Sequence, residues 1–147
     1  MFVQKENGFT LLELFIAMGI IVIIASLTIP IGINFYKTQL LDEVSVDVLS
    51  ALRRASAQAS YQKNDSAFGM KFLSGSYVLF QGSSYATRTI SEDEEFFVSG
   101  GTSFGGINEV VFSKYFGLPG ASGTITLSLS GQTQTLYIST QGRIERQ

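Results

Sequence analysis

The hydrophobic pattern changes period along the chain, and each period predicts a different element. From Phe9 to Ile29 the sequence is apolar for 21 residues, with Glu13 as its one charge. A helix of that length covers about 32 Å, enough to cross a hydrocarbon core of ~30 Å. Pro30 and Gly32 interrupt the pattern, and a proline inside a helix removes one hydrogen bond and crowds the preceding turn. A helix kink is therefore expected at Pro30. Beyond it Leu41, Val44, Val48, Leu52, Ala55 and Ala59 recur at spacings of three and four, one apolar stripe of an amphipathic helix. Asp42, Glu43, Asp47, Arg53, Arg54 and Gln58 fall largely off that stripe. The turn-forming "KNDS" at 63–66 predicts the helix end, so the helix runs from about Phe9 to about Gln62.

From Ser66 the period drops to two. Strands are predicted at 67–73, 76–82, 109–113, 123–130, 134–140 and 143–145, with weaker candidates at 87–90 and 94–99. "SG" at 74–75, "SGQT" at 130–133 and "QG" at 141–142 read as tight turns, and "GGTSFGG" at 100–106 as a surface loop. Phe68, Phe72, Tyr77, Phe80, Phe112 and Tyr137 are expected in the core. The fold class is α+β: a long N-terminal helix, transmembrane in its first half and amphipathic in its second, packed on an antiparallel β-sheet head. The divisions are a leader at 1–8, a membrane-spanning helix at 9–33, an amphipathic helix at 34–64 and a β-rich head at 65–147.

Composition narrows the function. The 147 residues carry a net charge of −2, too weak a field to draw the whole chain to nucleic acid. There is no cysteine and no histidine. Disulfides, thiolate or imidazole zinc sites and Ser-His-Asp or Cys-His catalysis are therefore closed to this chain. No cofactor and no enzymatic activity are expected.

Glu13 then needs a reason. A carboxylate at a helix centre costs about 2.5–3.5 kcal/mol on insertion, and an ordinary anchor gains nothing from it. The run "GFTLLE", Gly8 to Glu13, followed by a spanning apolar stretch and Pro30, resembles the prepilin cleavage and methylation segment of type IV pilins and type II secretion pseudopilins. The resemblance implies cleavage between Gly8 and Phe9 by a membrane-embedded prepilin peptidase, which also N-methylates Phe9. It further implies that Glu13 meets the Phe9 amine of a neighbouring subunit during assembly, each charge offsetting the other's cost in an apolar filament core. Implied partners are other pilins and the inner-membrane assembly platform. The implied location is the bacterial cytoplasmic membrane, with the head outside; Lys5 favours a cytoplasmic N-terminal side, although Glu6 offsets it.

"FGMKFLSGSYVLFQG", "VVFSKYFGLPGASGTITLSLS" and "LYISTQGRIE" look like the head of GspH/FimT-type minor pilins, with residues 83–107 matching least. Some members of that family bind DNA through a basic tail. Arg143 and Arg146 are the corresponding DNA-contact candidates, and a DNA-uptake pilin is the alternative function. The plainer reading is a closing strand with solvated charges, since Glu145 lies between the two arginines and phosphate binding needs several cations. The acidic "SEDEE" at 91–95 lacks the D-x-D-x-D-G pattern of a calcium loop and reads as a solvated turn.

Overall fold

The computed structural model describes residues 8–98 and 101–147; residues 1–7 of the expected leader, with Lys5 and Glu6, lie outside the described residues, as do Ser99 and Gly100. Two compact units divide the chain, residues 1–36 and 37–147. A helix α1, Leu11–Ser60, is assigned through both, with Pro30 inside it. Eight strands follow: β1 (Phe68–Leu73), β2 (Ser76–Gln81), β3 (Glu94–Phe97), β4 (Ser103–Gly106), β5 (Glu109–Phe112), β6 (Gly123–Leu129), β7 (Gln132–Ile138) and β8 (Ile144–Arg146). The architecture is α+β, one long N-terminal helix packed on two antiparallel sheets.

In the first unit the helix is apolar all round. Every large hydrophobic side chain from Phe9 to Tyr36 is at least 50% exposed. Among the described residues this surface is exposed on every side, and the helix is long and apolar enough to span a membrane.

In the second unit all six stripe positions, Leu41 to Ala59, are buried. They pack on the inner faces of two four-stranded sheets, ordered β3-β2-β1-β5 and β4-β6-β7-β8, where a single sheet was expected. Met70, Leu79 and Val110 come from the first sheet, Ile125, Leu127 and Leu136 from the second. Phe104 joins the two, its ring 5.1 Å from Phe72 and 6.4 Å from Tyr77.

That contact explains one correction. The expected loop at 100–106 contains the strand β4, paired with β6 from Ser103 opposite Ser128 to Gly106 opposite Ile125. Burial of Phe104 and the ladder outweigh the poor strand propensity of "SFGG". At Gly106 φ is +80° and a Cβ would strike the Thr124 carbonyl oxygen, so only glycine fits that close approach. The weak strand candidate at 87–90 is also overturned. Tyr85–Thr87 and Ile90–Glu92 are short 3-10 turns instead. Arg88 holds them: it donates to Asp93 at 2.6 Å and to the Tyr85 carbonyl at 2.8 Å, and its guanidinium lies 3.8 Å from the centre of the Tyr85 ring. Tyr85 in turn meets Phe80 edge-on at 5.6 Å, covering the outer face of the first sheet.

Tyr137 is not core; it is exposed, because Leu136 and Ile138 face inward and strand side chains alternate. The strand expected at 134–140 begins at Gln132, since Ser130 (φ 49°) and Gly131 (φ 87°) alone make the turn. Two positive φ values in a two-residue loop match the twist of the flanking strands. The pairing of β6 with β7 sets Thr124, Thr126 and Ser128 opposite Tyr137, Thr135 and Thr133, an outer face of hydroxyls.

Candidate functional site

The residues singled out by the sequence lie at three places. The first is the start of α1. Gly8 is exposed, and a Cβ built there would meet nothing within 4 Å. No internal packing therefore requires glycine at position 8. Phe9 is 89% exposed. Thr10 precedes the first helical residue and closes a reciprocal cap with Glu13. The Glu13 N–H donates to the Thr10 hydroxyl oxygen at 3.2 Å. The Thr10 N–H and hydroxyl both donate to Glu13 Oε2, at 2.9 and 3.0 Å. This is a capping box, which satisfies helix N–H groups that otherwise lack partners.

Glu13 thus has a role inside the chain as well as the expected one between chains. The spacing Thr-x-x-Glu before an apolar run is a readable signal for it, and sequence reasoning passed over it. The two roles are compatible. Both bonds from Thr10 end on Oε2, and Oε1 has no partner among the described residues. The cap fixes the carboxylate within the first turn, where the helix dipole favours negative charge.

The second place is Pro30. It has no N–H to give to the preceding turn, yet the helix assignment continues through it. Nearby hydroxyls are satisfied within the helix. Ser26 donates to the Ile23 carbonyl at 2.8 Å and Thr28 to the Ile24 carbonyl at 2.9 Å, leaving neither group as a polar burden in an apolar setting.

The third place is the C-terminal strand. Arg146 donates to Asp42 of α1 at 3.0 Å, beside buried Ser45, which donates to the Asp42 carbonyl at 2.7 Å. Arg143 is paired with Glu145. Both arginines are therefore engaged by carboxylates of the same chain. The acidic segment 91–95 is likewise dispersed: Asp93 binds Arg88, Glu94 binds Arg54 at 2.7 Å, and Glu95 accepts from Ser76 at 2.9 Å.

Comparison with protein-family models, with curated proteins and with solved structures finds no match.

Proposed function

We propose that this chain is a minor pilin or pseudopilin, a non-catalytic structural subunit of a type IV pilus or a type II secretion-type filament. In this reading prepilin peptidase cleaves between Gly8 and Phe9 and methylates the new amine. The subunit waits in the bacterial cytoplasmic membrane as a single span with its head outside. It then leaves the lipid through the inner-membrane assembly platform to pack against other pilins.

One observation carries the proposal. A helix of spanning length is apolar and exposed on every side among the described residues, and bears a single carboxylate held at its first turn. A lipid anchor needs the first two features only. A helix that must later join other helices also needs a device that fixes its depth, and a carboxylate awaiting an amine is such a device. Oε1, without a partner among the described residues, gives the neighbouring amine a place to bind while the cap persists. The freedom around Gly8 supports the same reading, because the demand for glycine then comes from a peptidase that grips the backbone closely. The DNA-uptake alternative has less support, since Arg143 and Arg146 are both paired within the chain.

Intact-mass measurement of the protein from its native host tests the reading. The expected species begins at N-methylated Phe9, and Gly8→Val accumulates as the full-length precursor. An unprocessed form that still enters filaments would overturn it.

A further inference from the structure

Two adjoining depressions lie between the second half of α1 and the edge strand β3. They share Asp47 and Tyr77. The larger, about 310 Å³, has Ala51, Leu79 and Phe96 among its walls. The smaller, about 60 Å³, adds Glu43 and Val44. That is room for about two waters at ~30 Å³ each, or for one charged head group.

Tyr77 is the unusual member. It is only 4% exposed, stacks on Phe96 at 5.1 Å, and its hydroxyl has no hydrogen-bond partner among the described residues. A buried phenol normally finds one. The hydroxyl is not sealed off: the enclosed side-chain polar atoms lacking a partner, among the described residues, are Gln58 Oε1 and Asp93 Oδ1. Burial, reinforced by the Asp47 charge, pushes the phenol up to about 12, so it stays neutral and available. Glu43 and Asp47 stand one turn apart on α1. Neither has an ion pair or hydrogen bond among the described residues. The far end of the larger depression differs, because Arg54 already pairs there with Glu94 at 2.7 Å.

We propose that this groove is the docking site for a basic side chain, arginine or lysine, carried on an apolar-flanked segment of a neighbouring protein chain. Charge decides both sign and direction. The cationic head meets Glu43 and Asp47 and donates to the Tyr77 hydroxyl, away from Arg54. Its aliphatic stem lies along Ala51, Leu79 and the Phe96 ring, covering apolar surface while the charged head stays at the carboxylates. A neutral or acidic side chain would desolvate two carboxylates and pair neither. That the neighbour is another filament subunit rests on the function proposed above; the chemistry of the groove does not.

The test uses the full chain in detergent micelles and the peptide acetyl-Leu-Arg-Leu-amide, followed by NMR at Tyr77 and Ser50. Saturable shifts are expected at both. The citrulline peptide, equal in shape but neutral, should bind at least about tenfold more weakly, a difference of ~1.4 kcal/mol. Glu43→Gln with Asp47→Asn should weaken the arginine peptide by a similar factor without lowering the melting temperature. Equal binding of the arginine and citrulline peptides, or no saturable shift with either, would overturn the site. In the native host the same double variant should be processed normally and enter filaments less. Normal entry by a variant that has lost the peptide would place the occupant outside the filament while leaving the groove intact. Failure of processing in the wild type would instead count against the function proposed above.

Discussion

The two halves of α1 face opposite problems. From Leu41 to Ala59 one stripe is buried by the protein's own sheets, and the polar residues lie largely off it. From Phe9 to Tyr36 there is no stripe, and the large apolar side chains are exposed on every side of the helix among the described residues. A stripe is the mark of a helix with one partner fixed by covalent connection. An apolar surface on all sides is the mark of a helix whose surroundings are supplied from outside, by lipid or by other chains. The first kind stabilises a fold, at about 1.5–3 kcal/mol for each large side chain fully buried. The second kind contributes nothing until its environment arrives.

The sharpest way to break this comparison is to place a charge on each half. Leu52 is fully buried in the second unit. Leu52→Asp leaves an unpaired carboxylate in the core and should cost more than about 4 kcal/mol, unfolding the head. Near-ultraviolet circular dichroism should lose its aromatic signal, while, on the function proposed above, fractionation still finds the protein in the membrane. An unchanged melting temperature would mean that the stripe is not the core.

The converse substitution removes the charge from the first half. Glu13→Gln should leave the head's melting temperature, cleavage and insertion intact. Membrane residence should become easier, since a neutral amide is cheaper in lipid than a carboxylate. On the function proposed above, transfer to a filament should fall sharply, because a neighbouring amine would lose its partner, and breaking a buried pair costs about 3–5 kcal/mol. Cross-linking to adjacent pilins, scored beside the membrane pool, separates these steps. Thr10→Val should loosen the first turn by about 1 kcal/mol, seen as faster amide exchange near Glu13, and reduce assembly less than Glu13→Gln does.

Smaller effects sharpen the account of the head. Gly106→Ala meets both a positive φ and the Thr124 carbonyl, and should cost about 1–3 kcal/mol in urea unfolding. Arg146→Ala removes a half-exposed pair with Asp42 and should cost no more than about 1 kcal/mol. A much larger loss would show that the C-terminal strand is tied to α1 more tightly than an exposed ion pair allows.

How far the sequence was legible follows from how local each signal is. The stripe and the β1–β2 hairpin are set by spacing or by two or three residues and are legible, while the turn expected at 130–133 is two residues shorter, at 130–131. The split into two sheets was not legible, because it depends on which strands pair at long range. β4 was missed for the same reason: "SFGG" has little strand character until Phe104 meets Phe72 and Tyr77 across the core. Tyr137 was misplaced by attending to residue type over alternation. At the helix start the apolar run and Glu13 were plain, while the cap was overlooked although Thr10 stands at the right spacing. The Tyr77 groove was beyond reach, since Asp47 and Tyr77 meet only in three dimensions.

The outer face of the second sheet has a consequence of another kind. Thr124, Thr126 and Ser128 stand opposite Tyr137, Thr135 and Thr133, and Glu145, opposite Tyr137 on β8, is paired with Arg143. Ionic strength acts on a surface through its charges: from 0.01 to 1 M salt the screening length shrinks from about 30 to about 3 Å. A field of neutral hydroxyls has almost nothing to screen and nothing to titrate over the range in which carboxylates change state. Its hydration should stay the same in dilute and saline surroundings. An object built from such subunits would present one weather-proof side, whatever medium it is extended into.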